Sequence, residues 1–300
     1  MEKILTPNIE LNTNTVSLYI RREDLIPPFV ASNKSRKLKY HLLQAQLEKK
    51  TTLLTFGGAF SNHIAAVAAA GKEFNFKTIG VIRGEELRFK IEENPTLRFA
   101  HECGMLLEFV TREAYKSKNE TSFIEALKRK FGNFYLLPEG GTNTLAVKGC
   151  EEILTNEDAV FDYICCAVGT GGTICGVMNR ALSNQKILGF PVLKGDFLME
   201  EIYKFTKKEN AELITDYHFE GYGKVNEVLI EFINTFYKQN NIPLDPIYTG
   251  KMMFGLFDLI EKNYFPKGTK ILAIHTGGIQ GIEGINQKLK SKKLPLIELP

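Results

Sequence analysis

Short apolar runs alternate with segments of helical periodicity along nearly the whole chain. Eight of these runs have the length and composition of β-strands, at residues 16–20, 52–56, 78–82, 105–110, 134–138, 163–168, 187–193 and 271–276. Helical spacing is clearest at residues 61–74, 122–132, 196–208 and 226–240. The strand-like runs are continuously apolar, which is typical of parallel strands that helices cover on both faces. The pattern therefore predicts an α/β protein with mainly parallel sheets.

The length of the chain favours two domains. Its 300 residues exceed the size at which one hydrophobic core usually serves a whole chain. No low-complexity linker or internal repeat marks a boundary, so the division rests on the grouping of elements. We predict one sheet unit at residues 37–145 and a larger unit formed by residues 1–36 together with 146–300.

The composition argues against binding to nucleic acid or membranes. The 38 basic and 35 acidic residues give a formal charge of +3, without the basic excess typical of nucleic-acid-binding domains. No apolar stretch approaches the roughly 18 residues of a membrane-spanning helix. The segment MEKILTPNIE lacks the basic cluster and apolar run of a secretory signal, so we expect a cytoplasmic location.

The five cysteines do not indicate a metal site or disulfides. They include no CxxC pair, which argues against zinc. Cys165 and Cys166 lie within the apolar run at 163–168, where small buried side chains are expected. We therefore expect reduced thiols, as in other cytosolic proteins, and no bound metal.

Glycine-rich turns follow four of the strand-like runs. They are Gly57-Gly58, Gly140-Gly141, Gly169–Gly172 and Gly277-Gly278. In open parallel sheets, ligands bind beyond the carboxyl ends of the strands, and glycine lets the backbone approach a ligand closely. Ordinary turn chemistry could also account for the set. Four such turns at one expected edge favour a ligand site.

One of these turns has the properties of a phosphate-binding loop. It lies between a strand and a predicted helix, where free N–H groups and the helix dipole favour an anion. The cradle residues would be Gly169, Thr170, Gly171, Gly172 and Thr173. Two familiar nucleotide motifs are absent, because Ile174 stands where a third glycine would be and no Gly-Lys-Ser/Thr follows. The turn therefore predicts a small phosphorylated cofactor.

The lysine at position 34 has an unusual setting. It follows Asn33, and Arg36 and Lys37 come close behind it. Neighbouring cations lower the pKa of a lysine and favour its neutral, nucleophilic amine. The run at 36–39 could begin a helix. Most lysines are solvated surface groups, so this setting gives a hypothesis that Lys34 is a nucleophile.

Seven short segments occur in an order that resembles one enzyme family. They are Arg22–Asp24, Asn33–Lys37, Gly57–His63, Pro138–Gly141, Gly169–Thr173, Asp245–Lys251 and His275–Gly278. Together they resemble, over essentially the whole chain, the fold type II enzymes that use pyridoxal 5′-phosphate (PLP) in the tryptophan synthase β superfamily. Within it, the chain most resembles the 1-aminocyclopropane-1-carboxylate (ACC) deaminase/D-cysteine desulfhydrase family.

The resemblance implies a fold, a cofactor and partners. It implies two open, mainly parallel-sheet domains of three layers each, with the active site between them. The unit at 1–36 and 146–300 would then be the large, cofactor-binding domain, and the unit at 37–145 the small domain. PLP is the implied cofactor, a small amino acid the implied substrate and a homodimer the expected assembly.

The resemblance also assigns roles to residues of this sequence. Lys34 matches the lysine that carries the cofactor as a Schiff base, and Lys37 matches one that contacts its phosphate. Asn62 matches the residue that hydrogen-bonds the cofactor's phenolic oxygen. Ser61 matches a catalytic serine beside the substrate carboxylate and Cα. The segment Gly169–Thr173 matches the phosphate loop.

Four further residues complete the implied site. Tyr248 and Tyr222 match two active-site tyrosines, Thr276 matches a residue near the pyridine nitrogen, and His63 lies where substrate contacts are expected. Purely structural roles are the alternative for these groups and for the serine–asparagine pair. That pair could simply cap the helix that follows, the tyrosines could be ordinary half-buried residues, and a lone histidine is more often structural.

Three positions separate the two activities found in the family. Ring-opening members tend to have Glu after the site tyrosine, Leu in the last Gly-Gly motif and Gln after the Ser-Asn pair. This chain has Thr249, Thr276 and His63 there, which resembles the desulfhydrase pattern. A threonine hydroxyl cannot hold a full positive charge on the pyridine nitrogen as a carboxylate would. Expelling a good leaving group such as a thiolate needs less electron withdrawal by the cofactor.

We therefore predict a D-cysteine desulfhydrase, which eliminates sulfide from Cβ and releases pyruvate and ammonia. ACC deaminase activity is the first alternative. A non-catalytic homologue that binds PLP or another phosphate ligand is the second. Ala59 and Phe60 depart from the residues more usual before the Ser-Asn pair, which leaves the substrate's identity open.

Overall fold

Two sheets organise the protein. The computed structural model describes residues 4–26, 33–195 and 197–298. In these residues the larger sheet has six strands, which in spatial order are β1 (Asn8–Leu11), β2 (Ser17–Arg22), β10 (Lys270–His275), β7 (Tyr163–Val168), β8 (Lys186–Pro191) and β9 (Ala211–Leu213). Neighbouring strands in this sheet are parallel, except for the antiparallel β1–β2 pair.

The smaller sheet comes from the middle of the chain. Its four described strands, in spatial order, are β5 (Leu106–Val110), β4 (Lys77–Arg83), β3 (Thr52–Gly57) and β6 (Tyr135–Leu136). All neighbouring pairs in this sheet are parallel.

Eleven α-helices lie in the described residues. They are α1 (Asn33–Leu47), α2 (Asn62–Phe74), α3 (Pro95–Glu102), α4 (Arg112–Lys116), α5 (Thr121–Phe131), α6 (Thr144–Glu151), α7 (Gly172–Arg180), α8 (Leu198–Tyr203), α9 (Glu227–Asn240), α10 (Thr249–Glu261) and α11 (Ile282–Ser291). Side chains of Ser61, Asn94, Asn143 and Asn226 accept backbone hydrogen bonds at the first turns of α2, α3, α6 and α9, and so fix where these helices begin. Across the described ranges, no helix is both long enough and apolar enough to cross a membrane.

The predicted fold class is confirmed. Each of the eight strand-like runs overlaps a strand of one of the two mainly parallel sheets. The short strands β1 and β9 were not predicted, because their residues are largely exposed or half-buried and form no apolar run. The helix predicted at 196–208 covers only Leu198–Tyr203, and Asp196 lies outside the described residues.

The continuous apolar character of the strands follows from coverage on both faces. In β7, Cys165 packs into one hydrophobic core and Cys166 into another, because successive side chains point to opposite faces of a sheet. Both thiols are fully buried. Burying both faces of a central strand stabilises the fold by roughly 25 cal/mol for each Å² of apolar surface.

The two sheets divide the chain at positions close to the predicted domain boundaries. Strands of the smaller sheet lie between residues 52 and 136, and those of the larger sheet lie at 8–22 and 163–275. Helix α1 runs through the predicted boundary at 36/37. It packs so closely on α6 that a Cβ on Gly149 would lie 1.9 Å from the Arg36 carbonyl oxygen. The division into 37–145 and the rest stays a prediction.

The carboxyl ends of the parallel strands determine where a ligand can bind. Gly58 follows β3, Arg83 ends β4, Gly169 follows β7 and Gly277 lies just beyond β10. All four of these residues line one cavity. The fold therefore brings the carboxyl edges of both sheets to a single site, as expected for open parallel sheets.

Candidate active site

The cavity has a volume of about 660 Å³. This volume lies within the usual range of ligand-binding pockets, roughly 300–1,000 Å³. The predicted site residues that line it are Lys34, Lys37, Ser61, Asn62, His63, Gly169, Thr170, Gly171, Thr173, Tyr222, Tyr248 and Thr276. Gly172 is the remaining predicted residue, and it lies between two of these residues in the glycine–threonine turn. The structure thus brings residues from distant parts of the sequence to one place.

Lys34 lies in the first turn of α1 with a half-buried side chain. Its Nζ donates a hydrogen bond to Asn33 Oδ1 at 3.2 Å. Burial, followed by the nearby charge of Lys37, lowers the pKa of the Lys34 amine to about 7. The amine is therefore substantially neutral at physiological pH, which a nucleophile or a general base requires.

The expected contribution of Arg36 to this pKa is not found. Its guanidinium binds Glu23 through two hydrogen bonds of 2.9 Å, and the residue does not line the cavity. Both side chains are almost fully buried, at 1% and 0% exposure. A buried, bidentate pair compensates its own charges, so it exerts little effect on a neighbouring amine. Arg36 instead anchors the first turns of α1 against the segment that follows β2.

Asn33 connects the lysine to the rest of the cavity. Its Nδ2 donates to Thr173 Oγ1 at 2.9 Å, and its backbone N–H donates to the Thr276 carbonyl at 3.3 Å. These bonds hold the start of α1 against both the glycine–threonine turn and the turn after β10. Asn33 was not predicted as a site residue, although its place beside Lys34 in a motif was a signal.

The glycine–threonine turn lies at the start of α7, where the sequence predicts a phosphate cradle. Gly171 adopts a left-handed backbone conformation with φ of 83°, which favours glycine. A Cβ added to Gly172 would lie 2.8 Å from Thr142 Oγ1 and 3.1 Å from Lys37 Nζ. The missing side chain at Gly172 leaves room for these polar groups beside the N-terminus of the helix, where backbone N–H groups favour an anion.

Lys37 completes this end of the cavity, which we call the cofactor end (residues 33–37, 140–142 and 169–173). Its Nζ donates to Thr142 Oγ1 at 3.1 Å and to the Gly140 carbonyl at 3.4 Å. Thr142 and Thr170 join their hydroxyls at 2.6 Å. Burial lowers the pKa of Lys37. Thr142 was not predicted from the sequence, because nothing in the sequence indicated that the turn at Gly140-Gly141 packs against the glycine–threonine turn.

Ser61 and Asn62 begin α2 at the carboxyl edge of the smaller sheet. Ser61 Oγ accepts a hydrogen bond from the Ile64 N–H at 3.3 Å, so the capping role is present. Asn62 faces the turn after β10, where its Nδ2 would lie 3.0 Å from a Cβ on Gly278. Gly278 has a φ of 96°, and the absent side chain there allows Asn62 to approach. Capping and cavity lining therefore coexist at this helix start.

His63 lies deep beneath the same loop, with 2% exposure. Its Nε2 is 2.9 Å from Thr55 Oγ1, which also donates to the Leu137 carbonyl at 3.1 Å. Burial, helped by the charges of Lys34 and Lys37, holds the pKa of His63 well below its usual value. The imidazole is therefore neutral at physiological pH, and its contact with Thr55 supports the turn behind the cavity.

The two predicted tyrosines lie together across the cavity. Their rings meet edge to face, with centroids 6.1 Å apart. The Tyr248 ring lies over Gly169, where an added Cβ would be 3.1 Å from Cε1. Burial raises the pKa of the Tyr248 phenol well above its usual range, and raises that of Tyr222 as well. Both phenols therefore stay protonated, and their hydroxyls hydrogen-bond each other.

The two threonines of the predicted desulfhydrase pattern are placed differently. Thr276 lines the cavity. Thr249 is fully buried and does not, because its hydroxyl donates to Asp245 Oδ1 at 2.8 Å and accepts from the Asp245 N–H at 2.9 Å. The residue after Tyr248 therefore stabilises the start of α10. Of the two threonines, only Thr276 lines the cavity, and its role stays a prediction.

These features match a known enzyme family. The family described as "Pyridoxal-phosphate dependent enzyme" matches residues 3–277. The chain belongs to this family. A putative ACC deaminase of Pyrococcus horikoshii is 32% identical over 95% of this chain and 91% of its own length. The mitochondrial bifunctional D-cysteine desulfhydrase/ACC deaminase of Arabidopsis thaliana is 30% identical over 90% of this chain and 74% of its own length.

A solved structure of the same family has the same fold. The crystal structure of an ACC deaminase homologue superposes with a TM-score of 0.81 at 30% identity, over 95% of this chain and 93% of that one. The predicted family, fold type and PLP dependence are therefore confirmed. Both activity names occur among the relatives, so the family supports PLP-dependent chemistry on small amino acids.

The residues of the cofactor end fit PLP. The turn at 169–173 and Lys37 offer N–H groups, hydroxyls and a cation to a phosphate, in space that a side chain on Gly172 would fill. Lys34 offers an amine with a pKa of about 7 to an aldehyde in the same cavity. An anion-binding helix start next to a reactive lysine is the donor set that this cofactor requires.

Proposed function

We propose that this protein is a PLP-dependent lyase that converts D-cysteine into pyruvate, ammonia and sulfide. The observation that carries the proposal is the half-buried Lys34 amine, with its pKa lowered to about 7, in a cavity that also holds an anion cradle and two protonated tyrosines. This combination provides a base, a cofactor-binding end and a proton donor in one space.

In this proposal, Lys34 would hold the cofactor through its aldehyde, and the turn at 169–173 would hold the phosphate together with Lys37. When bound, PLP withdraws electrons from the Cα of an attached amino acid. Asn62 would hydrogen-bond the phenolic oxygen, and Thr276 would lie near the ring nitrogen. These roles follow the family resemblance, and the positions of the side chains around one cavity support them.

The chain's own groups then move the protons. The free Lys34 amine, substantially neutral at physiological pH, would take the proton from Cα. The capped start of α2, with Ser61, fixes the substrate carboxylate through free N–H groups and the helix dipole. Tyr248 keeps its proton because burial raises its pKa, so its hydroxyl can assist the departing sulfur.

The alternative activity, ring opening of ACC, has weaker support from the site. That reaction needs groups acting on the ring carbons, since the ACC Cα carries no hydrogen. Among the described residues, the one carboxylate that lines the cavity belongs to Glu139, and the hydroxyl of Thr249 is occupied by Asp245. Thr276 lines the cavity at the position where ring-opening members tend to have Leu. These features favour elimination at Cβ over ring opening.

A substrate panel tests the proposal. Purified protein with bound PLP is given D-cysteine, L-cysteine, D-serine or ACC, and keto acid, ammonia and sulfide are measured. We expect D-cysteine to give pyruvate and sulfide in equal amounts and faster than any other member of the panel. Keto acid from ACC with no sulfide from D-cysteine would support the alternative. A yellow protein that turns over none of the four would support a non-catalytic homologue.

A further inference from the structure

The charged side chains that line the cavity are mostly cationic. Within the described residues they are Lys34, Lys37, Arg83 and Lys288, with Glu139 as the single carboxylate. In the proposed function, Lys34 and Lys37 bind the cofactor. Arg83 and Lys288 belong to another group of lining residues, which we call the substrate end (residues 58–63, 83, 139, 222 and 288). Neither has a role in the function proposed above.

Arg83 stands at the carboxyl edge of the smaller sheet, beside the loop that leads to Ser61. The β3–β4 register pairs Gly57 with Ile82, so Arg83 and Gly58 are the next neighbours along the two strands. The Nη2 atom of Arg83 would lie 3.7 Å from a Cβ on Gly58. The guanidinium is thus placed over the backbone next to the expected position of the substrate.

The charge of Arg83 is not compensated by any acid in the described residues. Its guanidinium lies over the face of Tyr115, 5.8 Å from the ring centroid. The buried Tyr115 is itself fixed, because its hydroxyl donates to Glu139 Oε1 at 2.7 Å. Glu139 in turn pairs with Lys118 at 3.2 Å. The nearby carboxylate is therefore already neutralised, while the arginine keeps its charge and its donors.

Lys288 adds a second cation from the larger sheet's side of the cavity. It lies on α11, and its Nζ is 4.1 Å from the centroid of the Phe60 ring. Phe60 packs against α11, where a Cβ on Gly284 would lie 2.6 Å from its Cε1. No carboxylate of the described residues lies within ion-pair distance of Lys288. Two cations without an ion pair in the described residues, one beside Gly58 and one beside Phe60, attract anionic groups to this end.

We propose that Arg83 binds an acidic group at the far end of the substrate's side chain. The enzyme would then act on β-substituted amino acids whose leaving group carries a carboxylate or similar anion, in addition to cysteine. A planar guanidinium binds such groups through two parallel hydrogen bonds. The inference rests on the proposed elimination at Cβ.

The reaction itself is unchanged by the acidic group. The Cα–H bond breaks and Lys34 takes the proton, while the Cβ–heteroatom bond breaks and the leaving group departs with the electron pair. Water then releases pyruvate and ammonia from the remaining three-carbon unit. Each substrate molecule and one water give pyruvate, ammonia and the protonated leaving group.

A matched pair of probes tests this idea. O-Acetylserine and O-succinylserine share one ester leaving chemistry and differ by a distal carboxylate, and both enantiomers are used. Pyruvate formation gives kcat/KM, and the change in cofactor absorbance on mixing gives Kd independently of turnover. Wild type is compared with Arg83→Gln and with Arg88→Gln, which removes an exposed cation of the same sheet unit outside the cavity lining.

We expect wild type to prefer the succinyl compound. In Arg83→Gln, kcat/KM for this compound alone should fall about 10- to 100-fold, and its Kd should rise by about the same factor. Arg88→Gln should match wild type. Equal losses for both probes in Arg83→Gln, or no preference in wild type, would overturn the inference. Binding that depends on Arg83 without any pyruvate would support this inference and contradict the proposed elimination. Pyruvate from both probes, at rates that Arg83→Gln leaves unchanged, would support the proposed elimination and contradict this inference.

Discussion

The two ends of the cavity are built in different ways. At the cofactor end, backbone turns and buried side chains are tied to each other, as in the bonds from Asn33 to Thr173 and from Lys37 to Thr142. At the substrate end, Arg83, Tyr222 and Lys288 are exposed, and in the described residues neither Arg83 nor Lys288 forms an ion pair. The cofactor end is therefore rigid through its own hydrogen bonds, while the substrate end can change specificity through single side chains without disturbing the fold.

The largest effect should come from removing the cofactor-end amine. In Lys34→Ala we expect the loss of the cofactor's imine absorbance and a fall in turnover of about 10³-fold or more, because the base and the covalent anchor disappear together. Lys72→Ala, at an exposed position of α2, is the control and should behave as wild type. Wild-type absorbance or turnover in Lys34→Ala would show that another group carries the cofactor.

The pH dependence of cofactor uptake should report the lowered pKa of Lys34. Its neutral amine attacks the aldehyde, so below pH about 7 the rate of PLP capture should fall about tenfold per pH unit. Above that pH the rate should level off, whereas the capture rate of a lysine with an ordinary pKa would keep rising up to a pH of roughly 10. The measurement is the growth of visible absorbance after stripped protein is mixed with PLP.

The same buffers should be used with PLP and Nα-acetyl-lysine, which corrects for titration of the cofactor itself. A capture rate that rises in parallel with this small-molecule reaction to high pH would contradict the lowered pKa of Lys34. A plateau for the protein alone would support it.

A methyl group at the cofactor end should weaken PLP binding specifically. Gly172→Ala places a Cβ 2.8 Å from Thr142 Oγ1 and 3.1 Å from Lys37 Nζ, so these groups must move away from the phosphate. We expect the Kd for PLP to rise about 10-fold. Gly58→Ala is the matched substitution at the substrate end, where the nearest atom is 3.7 Å away, and it should leave the PLP Kd unchanged. Equal effects of the two substitutions would remove the distinction between the ends.

A smaller effect, on kcat/KM and not on the Kd for PLP, should come from a change in the loop that carries Tyr222. The buried Lys251 donates to the carbonyls of His218 and Gly221 at 2.9 and 2.8 Å. Phe219 and Glu220 have φ values of 51° and 64°, a left-handed conformation that is strained for residues other than glycine. These two hydrogen bonds therefore hold a strained loop in place.

In Lys251→Met, the buried Gly221 carbonyl and the partly buried His218 carbonyl lose their donor, at a cost of about 1–3 kcal/mol for a fully buried group. We expect the loop to loosen, kcat/KM to fall about 3- to 10-fold and the PLP Kd to stay constant. Lys251→Arg, which keeps the donors, should recover part of the activity. A weakened PLP Kd with unchanged kcat/KM would place Lys251 with the cofactor end instead.

The sequence alone determined the fold class and the position of the cofactor end. Apolar runs such as 163–168 are continuous because both faces of their strands are covered, and this pattern is local. The glycine–threonine turn and Lys34 are also local signals, since a phosphate cradle needs free N–H groups at a helix start and a reactive lysine needs a particular setting. The order of the seven short motifs along the chain indicated the enzyme family.

Only the tertiary structure decided which neighbouring residue serves which purpose. Arg36 and Lys37 are adjacent in sequence, yet one is bound to Glu23 and the other faces the cavity. Thr249 supports Asp245, while Thr276 lines the cavity. Side-chain direction depends on partners that are distant along the chain, because a charge or hydroxyl is stable in the interior only where another element satisfies it.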